Sequence, residues 1–396
     1  MPSIRIGLMT GGGDKPYALG LTMSLVSKGV SVDYIGSNDE DTPELHATPL
    51  INFMNLRGDQ TENVGFREKM VRILRYYARL LRYATLPGPP IFHILWNNKF
   101  EAFDRTALML YYRWMGKKIL LTAHNVNAAK RDSRDTWFNR KTLGFQYWMA
   151  DHLFVHTNRM RSELVADFHV PHNKISVIPF GINNVFPSST ITSNAARLRM
   201  GIRADEKVGL FFGQIAPYKG LEYLISAMAQ LNRIGGEFRL IIAGRIKRGY
   251  AAYWEQIRHH IAQTRLQGKI VERIQFIAEE EVELYFKAAD VLILPYKSIS
   301  QSGVPFLAYS YGLPVIATDV GSLREDIIEG ETGFVCRSMD PVDLAAKLED
   351  YFSSDLYLNL DSRRNQIREF ANERYSWAKV ADITQGVYQQ LLEEQN

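Results

Sequence analysis

The 396-residue chain contains a single cysteine, Cys336. That excludes an intrachain disulfide, and with no clustered Cys/His set there is no framework for a structural zinc. Charge is missing altogether from Ser298 to Thr318, a stretch about as long as a bilayer crossing needs. It is excluded as a span by Gly303, Pro305, Gly312 and Pro314, together with four serines and two tyrosines. The short apolar run after Arg5 has no small-residue cleavage site behind it, so it reads as a buried strand rather than a signal peptide, and a cytoplasmic protein is expected. RNP-type aromatic repeats and zinc-finger spacing are absent too, which disfavours nucleic acid as a partner. No metal is expected.

What is present is size, apolar content and an uneven charge. With 46% hydrophobic residues the chain can bury a large core, and its length suits two domains. The net charge of +4 divides into +7 up to Phe180 and −3 beyond it. The first half therefore calls for an anionic partner, such as a membrane surface or phosphates. Short runs rich in Val, Ile and Leu recur: IRIGLM, VSVDYIG, PIFHILW, KILLTAH, HLFVHT, ISVIPFG, KVGLFFG, FRLIIAG, RIQFIA, DVLILPY and PVIAT. Runs of this kind are strands covered on both faces, and helical periodicity lies between most of them, so the fold class is α/β with parallel sheets. The polar patch PSSTITSN at 187–194 separates the sixth run from the seventh. It divides the chain into two doubly wound units, residues 1–186 and 187–376. Ligands of such sheets sit at the carboxyl ends of strands, so the loops after the runs are the places to search.

The first of these loops, TGGGDKPYALG at Thr10–Gly20, opens a helix as a phosphate-cradling turn does, although Pro16 stands where a dinucleotide fingerprint has its third glycine. A plain tight turn is the alternative. In LFFGQIAPYKGLEYL, Lys219 is delivered to the start of an amphipathic helix, where a cation opposes the helix dipole unless an anion lies between them; a solvated surface lysine is the rival reading. In the uncharged stretch, Ser302 is placed as the N-cap of a helix from about Gly303 to Tyr311, with Pro305 in its first turn. Residues 66–83 put Phe66, Met70, Ile73, Tyr77 and Leu80 on one helical face and Arg72, Arg75, Arg79 and Arg82 on the other, an arrangement suited to anionic lipid headgroups or to a solvated face. His124 ends a strand, where an imidazole is either functional or a hydrogen-bonded structural group. Asp39-Glu40-Asp41 reads as solvated surface rather than a metal-binding D-x-D.

Taken in order, GGGDKPYALGLTMSLVSKG, TAHN, ISVIPFGIN, GQIAPYKGLEYLISAM, RLIIAGR, DVLILPY, YGLPVIATDVGSLREDI and the closing YSW resemble the group-1 (family 4) glycosyltransferases with the GT-B fold. The resemblance implies two Rossmann-like domains facing across a cleft, with the C-terminal helix, about 377–396, returning to the first. It implies a nucleotide-diphosphate sugar as donor and a retaining, metal-independent transfer to a lipid-linked or polysaccharide-precursor acceptor. Carried over by position, Lys219 matches the lysine on the donor diphosphate, Gly12 and Gly13 the loop that approaches it, and Gly303 and Val304 the loop whose amides receive phosphate or sugar oxygens. Glu325 matches the acid after the G-x-P-V-I-A strand, and His124 the histidine near the transferred sugar. The departures are equally specific. The family's paired glutamates fall on Ile299 and Leu307, and its arginine before the lysine is Gln214. Gln301 and Ser302 are expected to replace the sugar contact, and Arg245 the missing charge. The chain is thus expected to be a peripheral enzyme on the inner face of the membrane. A non-catalytic GT-B subunit and a nucleotide-sugar epimerase are the alternatives.

Overall fold

The computed structural model describes residues 4–61, 64–131, 135–182, 191–233, 237–299 and 301–394. Among the described residues thirteen strands form two all-parallel sheets. β1 (Arg5–Met9), β2 (Ser31–Gly36), β3 (Ile51–Asn55), β4 (Ile91–Ile94), β5 (Lys118–Thr122), β6 (His152–Val155) and β7 (Ile175–Val177) lie in the order β3-β2-β1-β4-β5-β6-β7. β8 (Lys207–Phe212), β9 (Phe238–Ala243), β10 (Ile270–Arg273), β11 (Val291–Leu294), β12 (Val315–Thr318) and β13 (Gly333–Cys336) lie in the order β10-β9-β8-β11-β12-β13. The chain accordingly divides into two compact units, Met1–Asn183 with Tyr375–Asn396, and Asn184–Arg374. The boundary expected between residues 186 and 187 lies outside the described residues.

The continuous apolar runs become interior strands because helices cover both sheet faces: β4, β6, β11 and β12 are buried at every residue. Edge strands behave differently. β3 alternates between half-buried and exposed residues, and β10 is half-exposed. β10 is also displaced from the expected RIQFIA: the strand is the preceding IVER, pairing Ile270–Arg273 with Leu240–Ala243. A strand with one neighbour needs apolar residues on one face only, so continuous hydrophobicity marks its position poorly.

In the first unit, helix Lys15–Ser27 is opened by Asp14, whose carboxylate accepts from Tyr17 N at 3.0 Å, with Pro16 in the turn where its missing N–H costs nothing. It buries Tyr17, Ala18, Leu21 and Leu25 against β1 and β2. Losing a fully buried leucine such as Leu21 to alanine costs about 2–5 kcal/mol. Helix Trp377–Glu393, capped by Ser376, packs on the same cluster through Val380, Ala381 and Tyr388. It is tied there by Ser24 Oγ donating to Trp377 O (2.8 Å) and by the 2.6 Å bond between His93 Nδ1 and the Tyr388 hydroxyl.

Candidate active site

In both units the strand order reverses beside the first strand, between β1 and β4 and between β8 and β11. That reversal opens the place where parallel sheets bind ligands. In the first unit the loop after β1 turns through Gly11 (φ 58°) and Gly12 (φ 71°), a left-handed conformation that side chains rarely take. It passes so close to Trp96, which follows β4, that a methyl group on Gly11 or Gly13 would strike Trp96 itself. His124 follows β5 and stacks on the Trp96 ring, 4.1 Å between centroids with planes 2° apart. Tyr17 meets His124 edge-on at 4.6 Å, and also contacts Trp96, His156, Phe180 and Trp377.

A hydrogen-bond chain sets the chemistry of this cluster. His156, after β6, has Nδ1 3.3 Å from the Ile178 carbonyl, so that nitrogen carries the proton and donates. Nε2 of His156 is then an acceptor, and His124 Nδ1–H donates to it at 3.1 Å. By this assignment Nε2 of His124 is left as a bare lone pair, buried and without a partner. Burial foremost, and then the facing His156 and His93, hold His124 well below the ordinary histidine range; burial brings His156 to about 4. Both rings are therefore neutral at physiological pH, and His124 presents a hydrogen-bond acceptor rather than a charge.

In the second unit the loop after β8 runs through Gly213 (φ 108°) into the short 3-10 turn Pro217–Lys219, closed by Gly220 (φ 64°). A Cβ on Gly220 would collide with the Pro295 carbonyl, which explains the glycine. Lys219 is not the solvated lysine of the rival reading, for it is only 6% exposed. Its ammonium donates to the Tyr296 hydroxyl at 2.9 Å and lies 4.8 Å from the centre of that ring. A Cβ on Gly213 would sit 3.0 Å from Lys219 Nζ and 4.0 Å from Val304 Cγ2. Lys219, Gly213, Tyr296 and the start of helix Val304–Ser310 thus converge at the switch point.

The N-cap of that helix is Gly303, not Ser302 as expected, because the Gly303 carbonyl accepts the first intrahelical bond, from Leu307 N at 3.1 Å. Ser302 lies one residue further back, buried, its hydroxyl accepting from Val304 N at 3.4 Å. The carboxamide oxygen of Gln301 is engaged by the Ser322 hydroxyl. Gln214 and Arg245 are exposed and adjacent, since Ile215 N donates to Arg245 O (2.9 Å), and the Arg245 guanidinium lies 5.8 Å from the Phe276 ring. The side chain of Glu325 is exposed, and its carbonyl accepts from Arg374. Ile299 and Leu307 are half-buried. Among the described residues no group of three or more His, Cys, Asp or Glu is arranged to hold a metal ion.

Two surface readings change. Glu40 is buried (4% exposed) rather than solvated: its carboxylate caps Ser37, accepting from the backbone N (3.0 Å) and the hydroxyl (2.9 Å). On helix Phe66–Thr85 the inward residues are Tyr76, Tyr77, Leu80 and Tyr83, while Phe66, expected on the packed face, is 79% exposed. It sits at the first turn, before the helix meets the sheet. Arg75, Arg79 and Arg82 are exposed as expected, but Arg72 is drawn down by Glu68 and Asp59. Val71 and Leu74 are exposed beside them. So is Trp114, on helix Ala107–Trp114, whose Tyr111 hydroxyl donates to Leu81 O at 3.2 Å. No helix among the described residues is long and apolar enough to cross a membrane.

Sequence reasoning missed Trp96, His156 and Tyr296, although each ends an apolar run (PIFHILW, HLFVHT, DVLILPY) and the rule that found His124 applies to them equally.

The comparisons with known proteins bear on the family and the fold. Residues 194–374 match the family "Glycosyl transferases group 1", and residues 11–185 match "Glycosyltransferase Family 4". A D-inositol 3-phosphate glycosyltransferase of Corynebacterium diphtheriae is 30% identical over 95% of this chain and 89% of its own length. The chain belongs to the group-1, family 4 glycosyltransferases. The enzyme is therefore a glycosyltransferase. A second D-inositol 3-phosphate glycosyltransferase, from Geodermatophilus obscurus, is 23% identical over 99% of the chain and 88% of its own length. The fold matches sucrose-phosphate synthase from Thermosynechococcus elongatus (TM-score 0.77, 20% identity, 99% and 100% of the two chains). It also matches Anabaena HepE in complex with UDP and glucose (TM-score 0.75, 15% identity, 98% and 100%), so this glycosyltransferase has the GT-B fold.

Proposed function

We propose that the enzyme moves a sugar from a nucleotide-diphosphate donor, held by the second unit, to a lipid-linked or polysaccharide-precursor acceptor on the first, with retention and without a metal. The observation that carries this reading is Lys219. Its ammonium is buried, 2.9 Å from the Tyr296 hydroxyl, and stands beside a glycine turn at a sheet's switch point, a position from which it would form charge-assisted bonds to a diphosphate. Gln214, Arg245, Ser302, Gly303, Val304 and Glu325 are the further donor-side residues proposed in the second unit, and Gly12 and Gly13 those proposed in the first.

In a front-face displacement the diphosphate leaves on the side from which the acceptor enters, and its oxygen takes the acceptor's proton. The protein's work is then to stabilise the charge that develops on the leaving group, which Lys219 does, and to orient the sugar. His124 suits the second task, because its unpartnered Nε2 lone pair accepts from a sugar hydroxyl. The exposed Arg75, Arg79 and Arg82, with Phe66, Leu74 and Trp114, support attachment to an anionic membrane surface. The names of the relatives favour a second acceptor, an inositol phosphate.

The test is calorimetric titration with UDP, GDP, ADP and dTDP without metal, alongside Lys219→Ala. Binding of one nucleotide that the variant loses is the expected result and names the base. A folded protein that binds none of the four would remove the donor-site reading.

A further inference from the structure

Arg57 lies on the loop after β3, outside the residues assigned above. Its backbone is fixed, Arg57 N donating to Gly36 O at 3.1 Å and its carbonyl accepting from Gln60 Nε2 at 3.0 Å. Its guanidinium packs directly on Gly12, where any Cβ would strike it, and lies 5.8 Å from the centre of the Tyr76 ring. Among the described residues this guanidinium forms no hydrogen bond and no ion pair, and Nη1 is buried with no partner. The carboxylate on the loop before it does not neutralise it, since Glu40 is committed to Ser37 and Tyr34. The hydroxyl of Tyr76 is directed away, to Asn98 Oδ1 at 2.7 Å.

A guanidinium cannot shed its proton, and a buried donor with no acceptor costs about 1–3 kcal/mol, more when charged. A fold that carries this cost beside a glycine turn, at the carboxyl edge of a sheet, has an orphan cation placed where ligands bind. Neither the Tyr76 ring and hydroxyl nor the Glu40 carboxylate supplies that acceptor. The missing partner is an oxyanion, and the planar fork of donors suits a phosphoryl group.

We propose that Arg57 is a substrate anion site that takes a phosphoryl group of a bound substrate beside Gly12. Two sources share that chemistry, a phosphoryl group on the acceptor and the diphosphate of the donor. Only the choice between them rests on the function proposed above.

The experiment titrates the full chain with inorganic phosphate and D-inositol 3-phosphate, followed by phosphorus NMR line broadening, and with UDP by calorimetry. The phosphates are titrated with and without saturating UDP, and Arg57→Gln, Arg57→Lys and Lys219→Ala are run beside the wild type. If the acceptor carries the group, the wild type binds a phosphate probe on top of UDP; Arg57→Gln weakens that binding at least about tenfold, Arg57→Lys restores part of it, and UDP affinity is unchanged. If the donor diphosphate is the partner, Arg57→Gln weakens UDP itself by at least about tenfold and UDP displaces phosphate. Wild-type affinity of Arg57→Gln for UDP and for both phosphates overturns the proposal, as does a wild type that binds neither phosphate while UDP ignores the substitution. Loss of UDP binding in Lys219→Ala is read separately, so the donor-site reading can fail while Arg57 stands. Unfolding temperatures accompany each variant, and Arg57→Lys decides if Arg57→Gln does not fold.

Discussion

The two units share a strand order, 3-2-1-4-5-6 in each with a seventh strand added in the first, yet they furnish the same switch point with opposite chemistry. In the first unit the loops bring together two neutral imidazoles, an indole and a phenol, a cluster whose lowered histidine pKa values keep it uncharged. In the second a single buried ammonium leans on a phenol. Surface charge runs the other way, basic over residues 1–180 and acidic beyond. A sheet topology fixes where a ligand can sit; side chains at a few strand ends decide which part of a reaction is served there. The comparison predicts that charge-removing substitutions in the second unit damage donor binding, and that polarity changes in the first damage turnover instead.

Lys219→Ala tests the first half of that statement most severely. Losing a charge-assisted contact, about 1.5–3 kcal/mol, should weaken nucleotide binding about 10- to 150-fold, with Tyr296→Phe falling between variant and wild type. Titration with the nucleotide that binds checks both. His124→Ala tests the second half. Turnover should fall by about tenfold or more while nucleotide affinity stays at the wild-type value, because in the proposed function His124 meets the sugar by a neutral hydrogen bond. An equal loss of nucleotide affinity in this variant would erase the division of labour. His156→Phe, which removes the acceptor for His124 Nδ1–H, should lower kcat less than His124→Ala does, with KM for the donor unchanged and the acid side of the pH profile altered.

The sequence made the interior of both sheets legible and, of the four edge strands, only β7, as ISVIPFG. β4, β6, β11 and β12 are buried on both faces and announced themselves as unbroken apolar runs, whereas β3 and β13 went unlisted and β10 was displaced. The same boundary divides the site. Lys219 and His124 follow the interior strands β8 and β5, so the sequence pattern points to their loops. Arg57 follows the edge strand β3, whose mixed burial leaves no continuous apolar run to point to its loop. Glu40 was misread because a carboxylate in a polar loop looks solvated until the fold turns Ser37 and Tyr34 toward it. Convergence across distant loops, as in Trp96 on His124, has no linear signature at all.

Acid should separate the units next. Burial lowers His93 to about 3 and His152 and His156 to about 4, all in the first unit. The folded state refuses a proton that the unfolded chain accepts near pH 6.5. Stability from these groups is therefore complete above that pH and falls as pH drops toward 4, by up to about 1.4 kcal/mol per pH unit for each group. In the second unit the two histidines, His259 and His260, are exposed and half-buried. Hydrogen exchange followed by mass spectrometry at pH 7, 6 and 5, corrected for intrinsic rates, should show protection lost earlier in peptides from β4, β5 and β6 than in those from β8, β11 and β12. Equal losses would mean that carboxylates in both units, not these histidines, govern acid stability.

The smallest effects belong to the basic surface of the first unit. Each exposed arginine near an anionic bilayer contributes about 1 kcal/mol, so Arg75→Ala, Arg79→Ala or Arg82→Ala should each reduce cosedimentation with vesicles containing phosphatidylserine about fivefold. Arg72→Ala should do less, because Glu68 and Asp59 already hold that guanidinium. Salt distinguishes the forces involved, since headgroup attraction is screened within a Debye length and apolar insertion is not. Binding that survives high salt but is lost in Leu74→Asp or Trp114→Asp would assign the attachment to the apolar residues between the arginines. Binding that ignores all these substitutions would leave the basic helix a solvated face, and would move the anionic partner of this half from the membrane to the strand ends, where Arg57 lies.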